Sequence, residues 1–450
     1  MRLTHWRSLA RASSLAAFAL VGAALSTSAL ADPPAAGDKP PNPDDLLGNI
    51  VVVAGAGRPL PKVGVVPSLA SDTEDVTLRS VVANDLDLCG EFEVLPDAQA
   101  PQGLYLDDSP IDAAAWVAKG VEFVVRVRGK HLNDKQATLH GQAYFVRKGA
   151  DAVFDKKFIV PVDAVREESH RLADLLIGAF TGQNGGFASH MAFASGVGGL
   201  RRIYTIDADG HDAKAVSAPG QTAIGPAFGK ASELYYAASV GEDLYRLIGP
   251  AGANVPTNVH GSIYGLAFSK DKSQVAMSIG VGDGIHVYAG ADFMHLTQAS
   301  PIGMALHPTF TPSGKVAFVG EGKFGQRVYA DGKAISPDGL YASSPTFCNN
   351  PDGVRAVFAV GVGKNTDLVS TGESGGGLAR LTQNQGRNGY PACSPDGRLV
   401  AFFSTRTSGQ GAGLYVMRVD GGRPKRISNL VGDSLRWDHL PPGHGVETKN

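Results

Sequence analysis

The stretch with the spacing of a catalytic motif is Gly372-Glu373-Ser374-Gly375-Gly376, which fits the G-x-S-x-G nucleophile elbow. That elbow works on a strand-to-helix turn of a parallel sheet, with an acid and a histidine following in the chain. Here it lies between Asp367-Leu-Val-Ser370 and Leu378-Ala-Arg-Leu381, two runs of strand character, so a glycine hairpin is expected and no catalytic residue. The twelve histidines are scattered, with no H-x-x-x-H and no cysteine pair at ligand spacing, and neither a phosphate-binding nor a dinucleotide-binding loop occurs. No metal and no cofactor is therefore expected. The acidic turns around Asp207, Asp209 and Asp283 are read as turn chemistry rather than Ca²⁺ sites. A formal net charge of −2 excludes the electrostatic footprint of a nucleic-acid binder.

Three cysteines occur: Cys89, Cys348 and Cys393. Buried apolar thiols are the expectation, with a bridge between Cys348 and Cys393 as the alternative. The remaining candidates are recognition residues: His260, Ser262 and Tyr264; Met304 and His307; Tyr341; and Arg387, Asn388 and Tyr390. Exposed Tyr, Met, Arg and His at a rigid rim are what protein interfaces favour. Any one of them packs as readily on its neighbours, so their meaning depends on the elements that gather them.

Those elements repeat. Phe228, Phe268, Phe310, Phe347, Cys393 and Trp437 each end a short strand, and after the first five comes a second apolar strand, such as Val275-Ala-Met-Ser-Ile or Leu399-Val-Ala-Phe-Phe. A period near 40 residues with several short strands per unit marks propeller blades. The sixth unit stops at Trp437, and its missing strands stand at the other end as His190-Met-Ala-Phe-Ala and Arg202-Ile-Tyr-Thr-Ile. Six blades over 186–440 are predicted, closed by pairing the C-terminal strand with N-terminal ones, which removes open sheet edges. The candidate recognition residues all fall in or beside the loops leading into the first strands, which gather around one mouth of the channel.

Ahead of the ring, 1–31 reads as a cleaved export signal: Arg2, Arg7 and Arg11, an apolar core over Leu15–Leu25, and Ser28-Ala29-Leu30-Ala31. Residues 32–47 form a proline-rich tether, expected to be extended and mobile. Over 48–182, strands from Ile50, Lys62, Phe92, Val121, Gln136 and Phe158 mix with helices from Asp75, Ile111 and Asp163, which describes an α/β domain of the α+β kind. Residues 441–450 are left as a tail.

Several phrases resemble the TolB family, the periplasmic propellers of the Tol–Pal system. They are Cys89-Gly-Glu-Phe-Glu-Val-Leu-Pro-Asp97, Ala114-Ala-Trp-Val-Ala-Lys-Gly-Val-Glu-Phe-Val-Val125, Gly178-Ala-Phe180, and Leu414-Tyr-Val-Met with Lys425-Arg-Ile-Ser. The resemblance implies a non-enzymatic, monomeric periplasmic scaffold that binds the lipoprotein Pal at the propeller mouth and TolA through its mature N-terminus. It implies a part in outer-membrane integrity and cell division. His260 stands in the loop comparable to one whose histidine contributes to the family's mouth, although the strand here reads Gly-Leu-Ala-Phe-Ser. Two other readings stand beside it: an accessory propeller of a serine-hydrolase-like system, prompted by Ser374, and a propeller binding a small ligand in its channel.

Overall fold

Thr73–Leu88 and Val165–Thr181 are helices because each repeats apolar residues along one face, and that face needs a sheet to cover it. The structure, a computed structural model, describes residues 41–48, 59–68, 72–103, 109–197, 200–241, 244–282, 284–301 and 303–448. The export signal, most of the tether, the strand expected from Ile50, and Asp283 lie outside them. The helices are α1 (Pro43–Leu47), α2 (Thr73–Leu88), α3 (Ala113–Ala118) and α4 (Val165–Thr181). Leu78, Val81, Val82 and Leu86 of α2 are buried, as are Leu172, Leu176 and Ile177 of α4.

Beneath them lies a sheet of β1 (Lys62–Val65), β2 (Glu93–Val94), β3 (Val121–Asn133), β4 (Gln136–Phe145) and β5 (Ala152–Pro161), in the order β2-β1-β3-β4-β5. Alternation along β3 sends Val125 to the α2/α4 side and Val124 to the other, where Trp116 of α3 covers the sheet. Gly64 makes that cover possible, since a Cβ there would stand 2.3 Å from the Trp116 ring.

The predicted ring is present. Blade 1 consists of Asp433–His439, Ser189–Val197, Leu200–Asp207 and Lys214–Ala215, so the last propeller strand pairs with the first. Blade 2 has three strands, Ala223–Phe228, Leu234–Gly241 and Leu244–Ile248. Blades 3 to 6 each have four, beginning at Ser262–Phe268, Leu306–Phe310, Ala342–Asn350 and Asn388–Cys393.

Two small devices repeat. A hydroxyl in the loop between blades accepts from a third-strand amide: Ser217 from Ile203 at 3.0 Å, Ser300 from Val287 at 2.9 Å, Ser336 from Val328 at 3.0 Å, and Thr382 from Leu368 at 2.9 Å. This explains why Ser336-Pro-Asp-Gly339 sits out of phase with Ser394-Pro-Asp-Gly397. Ser336 serves this device, whereas Ser394 closes a first-to-second-strand turn by bonding Asp396 and Leu399. Gly397 in that turn has φ +77°, and a Cβ there would meet the Asn349 carbonyl of blade 5 at 2.1 Å.

Three expectations change. Cys348 and Cys393 form a disulfide, with Cα atoms 5.3 Å apart, between the inner strands of blades 5 and 6. Cys348 stands one residue beyond the position equivalent to Cys393. Because successive side chains of a strand face opposite ways, that step turns Cys348 to the blade 5/6 interface where Cys393 packs, while Phe347 faces blade 4. The end of the tether is docked rather than loose. In α1, Leu47 is buried among Ala317, Val319, Leu340 and Phe358 at the blade 4/5 junction, and Asp44 pairs with Arg380 at 2.9 Å. Finally, the tail adds a strand, Val446–Thr448, to the α/β sheet beside β5.

The two domains share one apolar cluster, in which Leu172, Leu176 and Ile177 meet Phe187, Phe193, Ile206, Leu399 and Leu414. Ion pairs ring it: Lys425–Asp87 at 2.8 Å, Arg418–Glu91, and Arg166 with Asp207 and Asp209. Arg398 donates to the Asn184 carbonyl at 2.9 Å.

Candidate functional site: the propeller mouth and channel

The contacts just described put the α/β domain on the end of the propeller that carries the Ser394–Gly397 and Asp420–Gly422 turns. Strands alternate direction within a blade, so the loops entering each innermost strand lie at the opposite end, clear of that domain. The mouth residues therefore stand on an uncovered face.

Each innermost strand carries an irregularity at one phase. Gly225, His307, Ser344, Tyr390 and Ser434 have φ between 51° and 56°, and in blade 3 the register shifts between Ile263 and Gly265. Four of those five left-handed residues are not glycine. Such conformations persist where surrounding structure holds them and often mark functional sites. The bulge turns His307, Tyr390 and Tyr264 into the upper channel, where they line a constriction with Ser344 and Ser434. The His307 and Tyr390 rings meet edge to face with centroids 6.3 Å apart. Burial, helped by the nearby Arg436 guanidinium, pulls the His307 imidazole down to about 4, so it is neutral at physiological pH. Burial also raises the Tyr390 hydroxyl.

The nine predicted residues thus fall into three groups. His260, Tyr341 and Arg387 are exposed at the rim, Tyr341 by 62%, with Met304 half-buried beside them. Tyr264, His307 and Tyr390 line the channel below. Ser262 and Asn388 are buried, which corrects their placement at the mouth. Ser262 Oγ accepts from the Tyr245 amide at 3.1 Å, and Asn388 Nδ2 donates to the Thr366 carbonyl at 3.2 Å. Both tie the start of an innermost strand to the third strand of the preceding blade, Leu244–Ile248 and Asn365–Gly372.

Sequence reasoning missed Arg201, whose guanidinium pairs with Asp433, and Arg436. Arg436 had a legible signal: it occupies the position before the strand-ending aromatic, where the other blades have Ala227, Ala267, Thr309, Thr346 and Ala392. Ser374 stands exposed on a hairpin between Asn365–Gly372 and Ala379–Arg380, closed by the Gly372 amide donating to the Gly376 carbonyl at 2.7 Å. That is not an elbow. Asp207 and Asp209 sit at the domain junction rather than in free acidic turns.

An α/β domain docked on one end of a six-bladed β-propeller, with the other end open, defines the class. Residues 48–150 match the family described as the TolB amino-terminal domain. The Tol-Pal system protein TolB of Geobacter metallireducens is 28% identical over 160 residues, which is 35% of this chain and 37% of that protein. The Tol-Pal system protein TolB of Acinetobacter baylyi is 28% identical over 185 residues, 39% of this chain and 40% of that protein. The chain thus spans about two fifths of the length of these curated relatives. The crystal structure of TolB from Acinetobacter baumannii superposes with a TM-score of 0.67 at 19% identity, covering 84% of this chain and 96% of that one. At that identity the superposition speaks for the fold alone, and the fold is the two-domain one. Among the described residues, no helix is long and apolar enough to cross a membrane, a statement that leaves β-barrels aside.

Proposed function

We propose that the protein is a non-enzymatic periplasmic scaffold of the Tol–Pal system that binds the peptidoglycan-associated lipoprotein Pal at the open propeller mouth. It engages a TolA-like inner-membrane protein through its N-terminal region and so supports outer-membrane integrity and cell division. The observation that carries this reading is a TolB amino-terminal domain joined to a ring whose far end carries exposed His260, Tyr341 and Arg387 around a narrow channel. Aromatic and arginine side chains at a rigid rim are the groups from which strong interface contacts are made. The disulfide between blades agrees with an oxidising compartment.

Affinity recovery from an envelope extract tests the proposal. The mature protein is expected to recover Pal, and the combined His260→Ala, Tyr341→Ala and Arg387→Ala variant to recover at least about tenfold less, since each interface hot spot contributes over ~1 kcal/mol. Undiminished recovery by the variant removes the mouth from the mechanism. Deletion of 32–47 is expected to cost the TolA-like partner and spare Pal. Covalent labelling by a serine-reactive phosphonate that disappears in Ser374→Ala would instead favour the hydrolase-like reading.

A further inference from the structure

We propose that the propeller channel holds a small oxyanion, a phosphate or a carboxylate, on the guanidinium of Arg436. The repeat makes this residue conspicuous. Five innermost strands place alanine or threonine at its position, and those small side chains leave the channel open, whereas blade 1 extends a long cation into it. Arg436 lines both the upper constriction and a lower chamber of about 250 Å³, so it partitions the channel.

Its contacts are all to backbone oxygens and all long. Nη1 donates to the Leu435 carbonyl, and Nη2 reaches across to the carbonyls of Leu266 in blade 3 and Pro308 in blade 4, each at 3.3 Å. Nε is shut off from solvent and has no acceptor. No carboxylate forms an ion pair with Arg436 among the described residues. Arg436 as a whole is partly buried, and a cation withdrawn from water without a counter-charge is unfavourable, since such cations are ordinarily paired.

The rest of the lower chamber is also suited to an anion. Thr309 and Thr346 line it, and Lys270 stands at its edge. The acid there, Asp438, is already paired with Lys272 at 2.9 Å. The chamber exceeds several times the roughly 30 Å³ that a water occupies in the liquid, leaving room for a hydrated oxyanion. Burial lowers the Arg436 guanidinium to about 10, so it remains charged at neutral pH. A guanidinium fork presents donors matched to planar or tetrahedral oxyanions.

The test is thermal unfolding of the purified protein in inorganic phosphate or acetate, each against chloride at equal ionic strength and pH. Phosphate also stabilises proteins generally by exclusion, so the reading is the difference between the protein and Arg436→Ala. Wild type is expected to gain a saturable ~2–4 °C in phosphate or acetate that the variant lacks. The alanine matches the residue three other blades carry at this position, and Arg436→Met repeats the measurement with a side chain of similar length. No gain over chloride in wild type, or a gain as large in Arg436→Ala and Arg436→Met as in wild type, overturns the proposal.

Discussion

His170 shows how far a single side chain here departs from its surface behaviour. It is 2% exposed on α4, and its Nδ1 lies 2.7 Å from Asp85 of α2, with Asp209 of the propeller 4.0 Å from Nε2. Burial alone would depress its pKa, but Asp85 and Asp209 outweigh burial and raise it to about 9. Arg166, bonded to Asp207 and Asp209, opposes that rise in part. Burial pushes Asp85 up to about 6, against the pull of His170. Between those values both partners are charged. A histidine whose folded pKa lies above its unfolded value of about 6.5 stabilises the fold fully below that pH and loses the contribution as pH rises through about 9. The melting temperature of the protein is therefore expected to fall between pH 6.5 and 9.5. His170→Gln, which keeps a donor toward Asp85 without the titration, should start lower and show a flatter profile. Parallel profiles in the two proteins would remove His170 as the cause.

At the scale of elements, the inter-blade disulfide has the largest calculable effect. Cys348 and Cys393 are 45 residues apart in sequence, and closing a loop of that length in the unfolded chain corresponds to about 4 kcal/mol in the chain-entropy model. Reductant, or the double change to alanine, is expected to lower thermal stability by a shift of that order. Replacing Cys89, buried on the α/β domain with its thiol raised to about 12, should leave the reductant response intact. The sequence pointed to the opposite pairing state because the two cysteines stand one residue apart in phase. Strands of neighbouring blades face each other with opposite sides, so that single step is what turns the two thiols toward one another. The blades themselves were readable because paired apolar strands recur near every 40 residues and do not depend on bulges. The rim was readable as loops, although bulges and buried bonds to the preceding blade decide which of its residues face solvent. Docking of α1 was not readable. Proline-rich composition signals an extended chain, and it is Arg380, held to Asp367 at 2.5 Å within blade 5, that supplies a partner for Asp44.

On the scale of the whole molecule, the C-terminal segment joins structures that the chain builds first. Asp433–His439 closes the ring against Ser189–Val197, and Val446–Thr448 then crosses to the α/β sheet to pair with β5. Between them, the His444 amide donates to Glu168 at 2.7 Å, Arg171 bonds the Pro441 carbonyl, and a cavity of about 430 Å³ remains between α4 and this segment. The two crossings do different things, so two truncations separate them. Ending the chain after Leu440 removes the sheet strand and leaves Glu168 without the His444 amide, while the ring stays closed. About 2–4 kcal/mol of stability is expected to go with these bonds, at roughly 1 kcal/mol for each backbone pair. Amide hydrogen exchange should quicken along Ala152–Pro161 and α4, and Ser189–Val197 should keep its protection. Ending the chain before Asp433 opens the ring, leaves Ser189–Val197 as an unpaired edge and should cost protection in blades 1 and 6 together. Loss of blade protection in the shorter truncation would mean that the sheet strand, and not the ring-closing pair, holds the propeller shut.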